Sequence, residues 1–461
     1  MNEISQHLMA ISLLDGRNWN KVSVVSNYFS EYALIKYRLK IEILYLIFLA
    51  ENTKLLRKFS KKEKELLQKS WQELTLEDAA KIKSIEAKIN HDVKAVEYYL
   101  KDKLSKSSLA DFTEFIHFGL TSYDVNVPSY GLMLLDYRRE VLIPTINKLL
   151  ESLKEMIEKT KSMPMLARTH GQPALPTTMG KELAVYYRRI IDELEVLAKT
   201  PIEAKLTGAV GNFNALDFVV PDINWILLSK KFIQSLGLVP NIFTTQILPY
   251  DSWLRLFDSL KRLNNILLGF TQDIWWYISF EYFLQKKKEE EVGSSTMSHK
   301  INPITFENAE GNLGMANSLL EFFTRKLAVS RLQRDLSDST IKRDFGLAFG
   351  FALLAWDSIL SGLGRITPNP LKMKKDLDAH FEIFTEGIQT YLRLHGLKNA
   401  YEILKEKTRG KVLNKEKLYQ IIDDLPISKT DKEYLKIKDL KEYSGYAKKL
   451  AEMAIKDNLP R

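Results

Sequence analysis

The sequence predicts an all-α protein built as three helical domains around a central bundle of long helices. Apolar residues recur at three- and four-residue spacing over long stretches. Strand-like alternation is scarce, and no Asn-Gly hairpin signal occurs between apolar runs. At 461 residues the chain is also long for one hydrophobic core.

In chain order, Ile82, Ile85, Ile89, Val93, Val96 and Leu100 read as one amphipathic helix, begun by Thr75 with Asp78 three residues on. Asn90, His91 and Asp92 fall inside that pattern. His91, two residues from Ile89 and about 200° around the helix, then points away from the apolar stripe. Leu149, Leu150, Leu153, Met156 and Ile157 repeat the pattern, as do Leu183, Val185, Tyr186, Ile190, Ile191 and Leu194. Short connections between long helices suggest a bundle. Breaks at Lys106-Ser107-Ser108 and at Thr367-Pro368-Asn369-Pro370 divide the chain into residues 1–111, 112–366 and 367–461.

Composition is that of an ordinary globular protein, 45% hydrophobic and 27% charged. Cysteine is absent, which excludes a disulfide framework and a thiolate-held metal. Met1 to Leu14 carries Glu3 and no basic region, so no secretory leader and a cytoplasmic location are expected. Ile43 to Ala50 is too short to span a membrane. Leu347 to Leu363 is apolar but holds Asp357 and several small residues, which fits a buried bundle helix. The formal charge is +9, yet basic and acidic residues alternate, as in Lys286-Lys287-Lys288-Glu289-Glu290-Glu291. That is the pattern of exposed helix faces, and no nucleic-acid partner is expected.

Three polar segments interrupt the helical text. In Arg168-Thr169-His170-Gly171-Gln172-Pro173-Ala174 a histidine sits in irregular backbone. It is either a hydrogen-bonded loop residue or a general acid or base. Gly293-Ser294-Ser295-Thr296-Met297-Ser298-His299-Lys300-Ile301-Asn302-Pro303 is too rich in glycine and serine for a helix. It reads as a solvated loop or as a lid closing on an anion, with a serine that needs a nearby cation to act as a base. Arg331 to Thr340, followed by Lys342-Arg343, sets arginines beside hydroxyls. That suits a phosphate or carboxylate, or a salt-bridged helix end. Phe118 to Asp124 is a polar turn ahead of another helix.

The Gly293–Pro303 segment resembles the signature of the fumarase, aspartase and argininosuccinate lyase superfamily, Gly-Ser-Ser-x-Met-Pro-x-Lys-x-Asn-Pro, at all but one specified position. Asn90 to Tyr98, Thr169 to Ala174, Gly208 to Asn212 and Arg334 to Arg343 resemble one branch, the adenylosuccinate lyases in their bacterial form. The resemblance runs from Leu14 nearly to the C-terminus. It implies a homotetramer whose core is the long-helix bundle, with each site shared by three subunits. It implies elimination of fumarate from adenylosuccinate, giving AMP, and from the succinylaminoimidazole carboxamide ribotide, giving its carboxamide product. No metal or organic cofactor is implied.

By the same resemblance, Ser294 is the general base, His170 the general acid, His91 orients the acid, and Lys300 and Asn302 hold the carbanion's charge. Arg17, Asn18, Asn90, His91, Asp92, Thr121, Ser122, Gln246, Asn308, Arg334, Ser339, Thr340, Ile341, Lys342 and Arg343 contact substrate. Two positions depart from the pattern. Ser298 replaces the signature proline, and Asn18 follows Arg17 where the family usually has tyrosine. Other members of the superfamily, argininosuccinate lyase and fumarase, match the Asn90–Tyr98 and Arg334–Arg343 segments less well. A non-catalytic helical scaffold would be expected to have lost at least one of Ser294, His170, Lys300, Asn302 and His91.

Overall fold

Long helices dominate the computed structural model, which describes residues 7–287, 296–297, 299–438 and 442–456. The principal elements are α1 (Glu31–Asn52), α2 (Lys61–Gln72), α3 (Leu76–Ile89), α4 (Asp92–Leu104), α5 (Ser122–Tyr137) and α6 (Ile143–Thr160). A hairpin of β1 (Pro164–Thr169) and β2 (Gln172–Thr178) follows. Then come α7 (Met179–Lys199), α8 (Asp251–Ser279), α9 (Ile304–Leu327), α10 (Ser337–Lys342) and α11 (Phe345–Arg365). Shorter helices complete the C-terminal stretch. Contacts divide the chain into two compact units, one of residues 1–145, 193–265 and 311–357, the other of 146–192, 266–310 and 358–461.

In the first unit α1 packs against α2, α4 and α5. Leu34, Ile35, Leu39, Ile41, Ile43, Leu46 and Leu49 bury nearly all round it, so it behaves as a core helix. The same helix buries Arg38 and Glu42, two charges that demand partners. Capping boxes start α2 at Ser60 and α3 at Thr75, where the Thr75–Asp78 spacing predicts one.

The predicted helix across Ile82–Leu100 is two helices. Asn90 ends α3 in the left-handed region, at φ 55° and ψ 38°, a conformation that asparagine tolerates. The apolar stripe fades at Ile89, which is 37% exposed, and restarts at Val93, Val96 and Leu100. His91 is therefore no mid-helix residue but the N-cap of α4.

In the second unit the His170 segment, expected as an irregular loop, is the tip of an antiparallel hairpin. Thr169 faces Gln172, and His170 and Gly171 form the two-residue turn with φ of 51° and 73°. Positive φ at both centres matches the right-handed twist of the strands, which is why a His-Gly pair serves. Along α7, Val185 is exposed and Tyr187 takes the buried position. Pro370–Asp378 packs on β1, and Leu377, Ile383, Ile388, Leu392, Leu404, Leu418 and Ile422 form a small core with Leu166 of the hairpin. The predicted stop at Thr367–Pro370 lies where Ile366–Pro368 pairs with Phe283–Gln285 and Asn369 caps the next helix. Among the described residues one helical stretch, Ser337–Arg365, is long and apolar enough to cross a membrane, and 72% of its apolar window is buried inside the protein.

Candidate active site

The break at Asn90 builds a charged corner in the first unit, one carboxylate between two arginines. His91 accepts the Lys94 N–H at Nδ1, 3.1 Å. Asp92 opens α4, where a carboxylate complements the helix N-terminus. Its Oδ1 accepts from Val93 N–H at 2.9 Å, and its Oδ2 meets Arg38 Nη2 at 2.6 Å and Arg343 Nη2 at 3.0 Å. Burial alone raises the Asp92 pKa, but Arg38, the Val93 amide and Arg343 outweigh it and hold the carboxyl well below its ordinary range. Arg38, 2% exposed, also donates through Nε to Asn126 at 2.8 Å. Residues 90–92 and Arg343, remote in sequence, thus meet through one carboxylate.

A second buried pair organises three more segments. Lys205 Nζ lies 2.9 Å from Asp124 Oδ1, with both side chains at 0% exposure. The ammonium also donates to the Gly208 and Gln246 carbonyls at 3.1 and 2.9 Å. Asp124 accepts from the Thr121, Thr207 and Gly208 amides at 3.0, 2.9 and 3.1 Å. The start of α5 with Thr121 and Ser122, the Gly208 turn and Gln246 are tied to one ion pair, all its donors and acceptors satisfied.

Gln246 carries this order outward. Its amide nitrogen donates to the Ala209 carbonyl at 3.0 Å, and its oxygen accepts from Arg334 Nη1 at 2.8 Å. The Arg334 guanidinium lies 4.1 Å from the Tyr123 ring centroid. Ahead of α10, Asp335 gathers the Arg331 and Ser337 amides at 3.2 and 2.8 Å. Arg343, partly exposed, donates to Ser339 Oγ at 3.2 Å, and Thr340 is exposed. Ile341 and Lys342 turn their side chains inward. Lys342 donates to Asp338 at 2.8 Å and to the Tyr250 hydroxyl at 2.6 Å, and burial pulls its pKa down to about 8 against the attraction of Asp338.

Near the N-terminus Arg17 is exposed and Asn18 precedes a short helix, Trp19–Val22. Trp19 stacks on His7 at 5.5 Å and, with Arg343, Asp15 and Ser30, lines a cavity of about 240 Å³.

The second unit holds the other predicted residues. His170 is exposed at the hairpin tip. Lys300 is exposed, its amide donating to the Met297 carbonyl at 3.2 Å, and Gln285 fixes the Ile301 carbonyl at 2.7 Å. Asn302 is half-buried just ahead of α9, and Asn308 is exposed on that helix. Ser294 and Ser298 lie outside the described residues. Among the described residues no group of three or more histidine or acidic side chains is arranged to hold a metal ion.

Sequence reasoning missed Arg38, Tyr123, Asp124, Lys205 and Asp338. The available signal was a charge within an apolar run, as with Arg38 between Ile35 and Leu39.

The family model described as Lyase matches residues 16–317, and that described as Adenylosuccinate lyase C-terminal matches 330–444. The chain is 46% identical over 444 residues to an adenylosuccinate lyase of Dictyostelium discoideum, covering 94% of this chain and 95% of that protein. It is 43% identical over 443 residues to one of Escherichia coli (strain K12), covering 95% and 97%. A Buchnera aphidicola adenylosuccinate lyase matches at 43% over 446 residues, covering 96% and 98%. Among solved structures, a 3-carboxy-cis,cis-muconate lactonizing enzyme from Pseudomonas putida superposes with a TM-score of 0.74 at 18% identity, covering 94% and 96%. A fumarate lyase from Mesorhizobium sp. BNC1 gives 0.72 at 17%, covering 94% and 97%. These two share the fold. With family models over most of its length and relatives this similar from end to end, the chain belongs to the adenylosuccinate lyase family.

Proposed function

We propose that the protein eliminates fumarate from adenylosuccinate, leaving AMP, and from the succinylaminoimidazole carboxamide ribotide, leaving its carboxamide product. The observation that carries this reading is identity to adenylosuccinate lyases over nearly the whole chain. The cluster of Arg38, Asp92, Gln246, Arg334, Ser339 and Arg343 supports it, because such a substrate brings a phosphate and two carboxylates.

In this reading Ser294 removes a proton from the succinyl β-carbon. The electron pair of that C–H bond is held as an aci-carboxylate by Lys300 and Asn302, then forms the fumarate double bond. The C–N bond breaks, its electrons pass to nitrogen, and His170 supplies the proton there. Lys300 acts where charge develops in the transition state, the differential stabilisation a lyase needs. The chemistry is redox-neutral and calls for no electron carrier. His170 suits its role because a rigid turn presents it outward. His91, Asn90, Asp92, Arg17, Asn18, Thr121, Ser122, Asn308 and the 339–343 run contact the substrate. The working form is a cytoplasmic homotetramer with shared sites and no nucleic-acid or membrane partner.

The test is an ultraviolet assay of adenylosuccinate cleavage by wild type, Ser294→Ala and His170→Ala. Wild type converts adenylosuccinate to AMP and fumarate, and each variant loses about 10²–10⁴ in kcat. No turnover by folded, tetrameric wild type overturns the assignment.

A further inference from the structure

We infer that Tyr123 is the positioning residue for the phosphate end of the substrate: its ring seats the Arg334 guanidinium, and its hydroxyl couples that guanidinium to α10. This deepens the activity proposed above and rests on it. Tyr123 is 0% exposed and stands at the second position of α5. The Arg334 guanidinium carbon sits 4.1 Å from the ring centroid, while Nη1 donates to Gln246 at 2.8 Å. An aromatic quadrupole attracts a guanidinium, and a half-buried site weakens the competing water. The group is held by its face and by one edge. Among the described residues Gln246 takes only one of its donors, which leaves a planar fork for an oxyanion.

The hydroxyl shows that Tyr123 is more than core filling. It donates to Asp338 Oδ1 at 2.6 Å, and Asp338 Oδ2 accepts from Tyr250 at 2.9 Å and from Lys342 at 2.8 Å. All four side chains are buried. Lys342 also lies 4.4 Å from the Tyr123 ring, so Asp338 neutralises what would otherwise be a second cation beside it. Asp338 and Lys342 belong to α10, the helix that carries Ser339, and Arg343 follows directly. One phenol therefore keeps Arg334, Ser339 and Arg343 in register. An apolar side chain of similar volume would fill the space but offer neither the π face nor the hydroxyl.

The experiment compares Tyr123→Leu and Tyr123→Phe, each alone and with Arg334→Ala. Competitive inhibition constants are measured for AMP and for adenosine, which lacks the phosphate, with KM and kcat for adenylosuccinate. Tyr123→Leu is expected to weaken AMP and raise KM roughly tenfold, with adenosine and kcat within about twofold of wild type. Tyr123→Phe keeps the ring but loses the bond to Asp338, so it is expected to weaken AMP less than Tyr123→Leu but measurably, by about threefold, and Tyr123→Leu has no further effect on AMP once Arg334 is alanine. Equal losses for AMP and adenosine, an undiminished loss in the Arg334→Ala background, or no AMP loss at all would each overturn the inference. Should Tyr123→Leu fail to fold, Arg334→Lys on the intact ring serves instead. It should lose AMP selectively, and unchanged AMP affinity overturns the inference. Wild type that cleaves adenylosuccinate while Tyr123→Leu behaves normally sinks only the role of Tyr123. Wild type that cleaves nothing sinks the activity itself.

Discussion

Lys205 and Asp124 form a fully buried ion pair at 2.9 Å whose remaining hydrogen bonds reach Thr121, Thr207, Gly208 and Gln246. Removing one partner of such a pair strands the other charge in a low-dielectric interior. Lys205→Met is expected to cost about 3–5 kcal/mol in urea unfolding. A loss below about 1 kcal/mol would mean that water reaches Asp124 and relieves it.

Asp92 links pH to stability from the acid side. Its folded pKa is depressed, so its contribution is complete above the unfolded carboxyl value, about 3.9, and fades as pH falls through the folded value. Asp92→Asn should destabilise the protein at pH 7 by about 2–3 kcal/mol, less than a fully buried pair because Asp92 is partly exposed. It should also flatten the acid limb of a melting-temperature profile. An acid limb as steep as that of wild type would assign acid lability to other carboxylates.

His117 works in the opposite direction. Its Nδ1 lies 2.6 Å from Glu42 Oε1, and Glu42 is fully buried with Oε2 unpartnered among the described residues. Burial lowers the His117 pKa, but Glu42, with Glu97 and Asp124 beyond it, raises it above the ordinary histidine value. The stability it contributes is complete below about pH 6.5 and is lost as pH rises through the raised folded value. Melting temperatures measured from pH 6 upward should fall in wild type and stay flatter in His117→Gln. Parallel profiles would rule out the pair as their cause.

Two glycines of the site segments should respond differently to alanine. At Gly211, φ is +87° and an added Cβ would stand 2.0 Å from the Thr244 carbonyl oxygen. Gly211→Ala must displace backbone and is expected to cost at least about 2 kcal/mol. At Gly171, φ is +73° but among the described residues nothing lies within 4 Å of an added Cβ. Gly171→Ala should cost only about 1 kcal/mol of conformational strain. Thermal unfolding of both variants checks the order, and equal losses would remove the steric argument.

Much of this architecture was legible in the sequence because helical periodicity and caps are local. The Thr75–Asp78 spacing specified a capping box, and the Thr367–Pro370 cluster specified a stop, since each depends on residues within one turn. The break at Asn90 was hidden because the apolar spacing continues across it by coincidence of two stripes. The hairpin at His170 was hidden because His-Gly is a rarer turn pair than Asn-Gly, though it supplies the same two positive φ values. The candidate contacts Arg334, Ser339, Arg343 and Gln246 were readable as residue types. Their supports, Arg38 from α1 and Lys205 from a loop, were not, because long-range partnership leaves no spacing to read.

The cap at the start of α4 restricts what His91 can offer a ligand. Because Nδ1 accepts the Lys94 N–H, the neutral ring must be the Nε2–H tautomer, so its outer edge is a donor. The cap therefore fixes the polarity of the ring: the edge it turns toward a ligand gives a hydrogen bond rather than takes one.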